Sequence, residues 1–214
     1  MNVRVPLISA FLAAGVLVAQ IVPAPPDLPA PRKTGGRPLM EALALRATSR
    51  SFDPKELSAQ QLSDLLWAAW GVNRPDGRRT APSARNTQEI DVYVLLKQGA
   101  FRYQAKDHRL EPVAPADLRA LGGIQAFVKD APVTLILVAD LARTGSGPLE
   151  QRREWACMDA GYISQNIYLY CASAGLATGA RAYVDKAALG PKLALRPDQL
   201  ILLGQSVGFP GKAP

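Results

Sequence analysis

Ile90-Asp-Val-Tyr-Val-Leu-Leu-Lys-Gln-Gly-Ala-Phe-Arg-Tyr-Gln104 reads as two strands around a turn. Ile90 to Leu96 is apolar and β-rich, Gly99 supplies the turn, and Ala100 to Gln104 returns, which predicts an antiparallel hairpin. His108 to Val113 extends it. Farther along, Pro132 to Ala139 is a continuous apolar run, the pattern of a central strand. Thr178 to Val184 and Leu200 to Val207 add two more strands. Helical signals surround this frame. Pro38 to Ala47 places Leu39, Leu43 and Leu45 among good helix formers, with Pro38 suited to a first turn. Ser58 and Gln61 form a capping box ahead of Leu62, Leu65, Leu66 and Ala69, and Gly71 stops that helix. Short helices are predicted over Pro115–Leu121, Ile124–Lys129 and Lys186–Leu193. Strands mixed with helices, opening on an antiparallel hairpin, predict the α+β class.

The longest helix is predicted over Leu149–Ala174, about 40 Å if unbroken. After Asn166 it is apolar nearly all round, through Ile167, Tyr168, Leu169, Tyr170, Cys171 and Ala172. Such a helix is buried on every face, and a second subunit is a common cover. Cys157 and Cys171 lie on it 14 residues apart, about 21 Å along the axis. A bridge needs Cα atoms within about 7 Å, so no intrachain disulfide is expected.

The chain has 214 residues, 48% of them apolar, with a net charge of +7. That suits one domain of ordinary size over 38–214. Residues 1–24 read as a signal peptide or N-terminal anchor: Arg4 is a positive start, and Val5 to Ala19 is almost wholly apolar. The run is short for a span of about 20 residues. Export to the periplasm or cell envelope is therefore expected, with membrane attachment if the segment stays uncleaved. Residues 25–37 form a Pro/Gly-rich linker, an extended tether without a core of its own. No Lys/Arg stripe interleaves with aromatics, which argues against a nucleic-acid partner.

Two stretches carry the chemistry. Arg46-Ala-Thr48-Ser-Arg50-Ser-Phe52 packs two guanidiniums and two hydroxyls into five residues, a phosphate-gripping set. Thr80-Ala-Pro82-Ser83-Ala84-Arg85-Asn86 is a Pro-Ser turn able to present donors to a flat polar ring. Other chemistry is missing. His108 is the sole histidine, placed in a polar turn where a surface role is expected. There is no metal-ligand cluster, no Gly-x-Ser-x-Gly elbow and no Gly-x-Gly-x-x-Gly fingerprint. A bound cofactor would have to supply redox chemistry. The competing structural readings are plain. Arg46 and Arg50 would pair with Glu41, Asp53 or Glu56; Ser83 and Asn86 would cap a helix starting near Ala84; Trp67, Trp70 and Trp155 would be core or interface.

From about Pro38 to Lys212 the chain resembles the nitroreductase family of flavoproteins. Within it, the chain resembles in particular the branch near the azoline-oxidising dehydrogenases that form thiazoles and oxazoles. The family's Arg-x-Ser-x-Arg and aromatic appear as Arg46 to Arg50 with Phe52, Thr48 replacing Ser. Its Pro-Ser-x-x-Asn appears as Pro82 to Asn86. Gln165-Asn166 matches on the long helix, which closes in Gly175-Leu176 before Ala177-Thr178-Gly179-Ala180. Gly208-Phe209-Pro210 and Lys212 end the chain. The resemblance implies a mostly antiparallel sheet flanked by helices, in an intertwined homodimer with FMN at each interface. It implies cofactor contacts from Arg46, Thr48, Arg50, Pro82, Ser83, Ala84, Asn86, Gln165, Thr178, Gly179 and Lys212, and no metal. Backbone N–H groups at Thr178-Gly179 would meet the ring. The implied reaction is ping-pong hydride transfer from a donor such as NAD(P)H to a small organic acceptor of quinone or nitroaromatic type. Two alternatives stand beside it: a flavin-binding or ligand-sequestering protein without turnover, and a dehydrogenase of an organic substrate that does not use NAD(P)H. No catalytic side chain is singled out.

Overall fold

The computed structural model describes residues 23–212. The signal or anchor expected over 1–24 falls almost wholly outside them. Among the described residues there are four α-helices: α1 (Leu39–Leu45), α2 (Ala59–Trp70), α3 (Leu149–Ala174) and α4 (Lys186–Lys192). Seven strands form one sheet: β1 (Phe52–Asp53), β2 (Ile90–Leu96), β3 (Gly99–Gln104), β4 (Arg109–Ala114), β5 (Val133–Asp140), β6 (Ala177–Arg181) and β7 (Gln199–Pro210). Every pairing among them is antiparallel. The order is β1-β7-β5-β2-β3-β4, with β6 also on β7. β7 carries β5 along one side. Its other side holds β6 and β1 end to end, since Ala177 faces Gly208 and Phe52 faces Pro210. That corner of the sheet becomes the site.

Both faces of the sheet are covered. Leu65 and Leu66 of α2 and Ile163 and Ile167 of α3 pack on Val92, Val94, Leu135 and Leu137. Leu118, Val184, Leu189 and Leu193 pack on Tyr93, Leu95, Ile136 and Val138 from the other side. A strand covered twice has no polar face to keep, which is why β5 is an unbroken apolar run. The segments expected as short helices over 115–129 are two 3-10 turns, Arg119–Gly122 and Ala126–Asp130.

Both bonds of the Ser58–Gln61 capping box are made, and Gly71 is the C-cap. α3 has the bounds expected from its sequence, closed by Gly175 in the left-handed conformation at φ 69°. Beyond Asn166 its burial is less complete than expected: Ile167 and Cys171 are fully buried, whereas Tyr168, Leu169 and Tyr170 are half-buried. Beside them α1 exposes Leu39, Met40, Leu43 and Leu45. The two cysteines are unbridged.

Residues 23–37 hold no regular structure, yet they lie against the domain. The Arg32 guanidinium and backbone N–H both donate to Asp64 at 2.8 Å. The Arg37 N–H donates to Ser173 Oγ at 2.7 Å, and Leu28 packs on the core. Among the described residues no helix is long and apolar enough to cross a membrane.

Candidate functional site

α1 ends at Arg46, and the chain leaves it extended. The Ser49 N–H donates to the Thr178 carbonyl at 2.8 Å, laying residues 47–51 along the outer edge of β6. Gly179 permits the approach: a Cβ there would stand 2.5 Å from the Ser49 carbonyl oxygen. Tyr168 of α3 completes the corner. Its hydroxyl takes the Ala180 N–H at 2.9 Å and lies 3.0 Å from Thr48 Oγ1, and its ring has the Arg46 guanidinium over it at 5.3 Å. The C-terminal segment closes in from the far side. The Gly211 N–H donates to the Ser51 carbonyl at 3.2 Å, and the Ser51 hydroxyl donates to the Lys212 carbonyl at 3.1 Å. A cleft of about 210 Å³ opens between Ala47, Ser49, Tyr168, Thr178 and Pro210.

Arg46, Thr48, Arg50, Thr178, Gly179 and Lys212 therefore gather at one corner. The surface pairing weighed for the two arginines does not occur. Glu41 pairs with Arg37 and Asp53 accepts the Lys55 N–H. Among the described residues no carboxylate forms an ion pair with Arg46, Arg50 or Lys212. Cations on neighbouring segments without a counter-charge are the kind of group that attracts an anion.

Two expected details read differently. The Thr178 side chain faces inward: its hydroxyl donates to the Ser206 carbonyl at 2.8 Å and accepts from Gln205 Nε2 at 3.1 Å. In an antiparallel edge strand, outward backbone groups alternate. Here they belong to Thr178 and Ala180, so the Gly179 N–H is turned toward β7.

Pro82 to Asn86 lies elsewhere on the same chain. The Ser83 hydroxyl accepts from the Gln88 N–H at 3.0 Å and Asn86 Oδ1 from Gln88 Nε2 at 3.1 Å. Ser83 precedes a 3-10 turn over Ala84–Asn86 but makes no capping bond to it. Arg85 and Asn86 sit at φ 54° and 56°, a left-handed pair that turns the loop outward. Pro82 and Asn86 are exposed, and Ala84 is half-buried. The Ala84 N–H is anchored on Asp159 of α3 at 2.8 Å. Asp159 precedes Tyr168 by nine residues, about 14 Å along the helix. The two halves of the predicted site thus stay apart within one chain. Gln165 lies between them on α3, exposed.

Under the loop, Asp159 meets Glu89; both are buried. Burial, reinforced by the neighbouring Glu89 carboxyl, pushes the Asp159 carboxyl up to about 7. The pair is a tether for the loop that nothing in the local sequence announces.

His108 departs from its expected surface role. Its Nε2 lies 2.7 Å from Ser63 Oγ and its Nδ1 2.8 Å from the Tyr103 hydroxyl. The grouping has the parts of a nucleophile relay but not its geometry. Ser63 is fully buried, and its hydroxyl donates to the Pro29 carbonyl at 2.5 Å. Burial holds the His108 imidazole below its ordinary value. The trio pins residues 29–32 to α2. Trp70 is core, while Trp67 and Trp155 are half-buried, the latter under the Arg85 guanidinium at 4.7 Å. No group of three or more metal-ligating side chains occurs among the described residues.

Comparison with known proteins gives the family and the fold. The nitroreductase family matches residues 43–209. A protein of Methanocaldococcus jannaschii, provisionally named a nitroreductase, is 29% identical over 150 residues, 65% of this chain and 76% of that protein. A crystal structure from Ralstonia eutropha JMP134, also provisionally named a nitroreductase, is 40% identical. It superposes with a TM-score of 0.83 over 92% of this chain and 98% of that one. The Escherichia coli microcin synthetase McbBCD complex contains a chain of the same fold. It is 18% identical, with a TM-score of 0.68 over 97% of this chain and 85% of that one.

Proposed function

The chain belongs to the nitroreductase family, and from that premise we propose that it is an FMN-dependent oxidoreductase working as a homodimer. The carrying observation is the corner of Arg46, Arg50 and Lys212, three cations without carboxylate partners among the described residues, on segments that meet beside β6. The residues present suit the cofactor. A phosphate near −2 at neutral pH matches the cations, the Thr48 hydroxyl adds a donor, and Gly179 lets backbone come close.

When bound, the flavin takes up a hydride from a donor and passes it on. The chain's own residues hold and orient it. Arg46 and Arg50 grip the phosphate, Lys212 closes from the C-terminal segment, and Tyr168 fixes the Ala180 edge against Thr48. Ser83 and Asn86 approach from a second copy. Along α1 and α3, Leu39, Met40, Leu43, Leu45, Met158 and Tyr162 are exposed, and a partner laid on that face buries them. The same docking brings the Pro82–Asn86 loop of one subunit, and Gln165, to the cation corner of the other. The reaction is ping-pong. NAD(P)H is the proposed donor and a small quinone or nitroaromatic compound the proposed acceptor. Residues 1–24 direct the protein to the cell envelope.

Anaerobic mixing of FMN-loaded protein with NADPH, followed by visible absorbance, tests the reading. Bleaching of the bound flavin and its recovery on adding a quinone are expected. A bound flavin that neither NADPH nor NADH bleaches removes the nicotinamide-linked reaction.

A further inference from the structure

Arg181, the last residue of β6, has an unusual environment. It is 7% exposed. One guanidinium nitrogen donates to Ser206 Oγ, another lies 3.3 Å from the Gly179 carbonyl, and Nε has no partner. The group stands over the Phe127 ring at 5.6 Å. Among the described residues no carboxylate pairs with it. Burial lowers its pKa to about 10, so it keeps its charge at neutral pH. An uncompensated buried cation is costly, and a cation–π contact offsets only a part. Something else must gain from the charge.

Its position says what. Arg181 is two residues from Gly179, on the same face of the strand. Phe127 stacks on Phe52 with ring centroids 6.1 Å apart, and Phe52 ends the cation-bearing segment. Arg181 thus shares β6 with the glycine that Ser49 packs against, and is linked through Phe127 and Phe52 to the cation-bearing segment. With Arg46, Arg50 and Lys212 it makes four positive charges. A phosphate dianion offsets two of them. A hydride adds two electrons and one proton to the flavin, while its nicotinamide donor leaves oxidised by the same two electrons. Without a second proton the reduced ring carries one negative charge. That charge finds a cation fixed in low dielectric, where attraction is strong.

We propose that Arg181 is a buried counter-charge that raises the reduction potential of the bound flavin by favouring its anionic reduced form. It is a positioning charge and not a catalytic residue. The inference rests on the cofactor reading above.

The test measures the bound potential against a reference dye in the wild type, in Arg181→Lys and in Arg181→Gln. Arg181→Gln is expected to bind oxidised FMN within about twofold of the wild type. Reduced FMN is expected to bind at least tenfold more weakly, a fall of about 30 mV for a two-electron couple. Arg181→Lys keeps the charge and most of the potential. Wild-type protein itself should hold reduced FMN more tightly than oxidised FMN, which reads the effect should Arg181→Gln fail to fold. An unchanged potential in Arg181→Gln, or a wild type that prefers oxidised FMN, overturns this inference alone. A wild type that takes up no FMN overturns the cofactor reading, and this with it.

Discussion

Replacing Arg46 and Arg50 together by alanine is expected to weaken FMN binding by about 10²- to 10⁴-fold. Hydrogen bonds to charged groups are worth about 1.5–3 kcal/mol each, and each 1.4 kcal/mol is a factor of ten. Neither arginine has a carboxylate partner among the described residues, so their removal strands no buried anion. Thermal stability should therefore hold or rise slightly as like charges separate. Riboflavin, which lacks the phosphate, separates the causes: its affinity should change by less than about tenfold, because the lost charges face the phosphate and not the ring. Titration of both ligands by flavin fluorescence makes the comparison. Equal losses for FMN and riboflavin would mean that the corner grips something other than phosphate.

Phe101→Ala should act in the opposite way. Phe101 is fully buried on β3, within the cluster under α2 and α3. Large-to-small changes at such a site cost about 3–5 kcal/mol, a large part of the 5–15 kcal/mol typical of a domain. Yet β3 is separated from β7 by β2 and β5, so the corner is untouched. Denaturant unfolding should show the loss, while protein that remains folded should bind FMN with nearly wild-type affinity. A mutant of unchanged stability would contradict the packing; a folded mutant without FMN affinity would tie the hairpin to the site.

The sequence reveals the frame of this fold because its signals are local. The hairpin at 90–104 declares itself by apolar runs about a glycine, α3 by length and its closing Gly175, and α2 by a capping box. β1 is two residues long, too short for any period to show, and exists only because β7 offers a partner. The candidate site is legible where a motif is contiguous, as in Arg46 to Arg50. It is hidden where side chains meet across the chain. Asp159 holds Ala84 from 75 residues away, and His108 meets Ser63 across 45. Tyr168 reads as one more apolar position of α3, and its hydroxyl has a role only because β6 ends beside it. Arg181, charged at a strand end, gives every local sign of facing water, and only the packing of Phe127 and Ser206 buries it.

Sedimentation of the purified protein with FMN, followed by the flavin's visible absorbance, tests the central claim most directly. The expected result is yellow dimers carrying one FMN per chain. Protein that sediments as colourless monomers in excess FMN would contradict it.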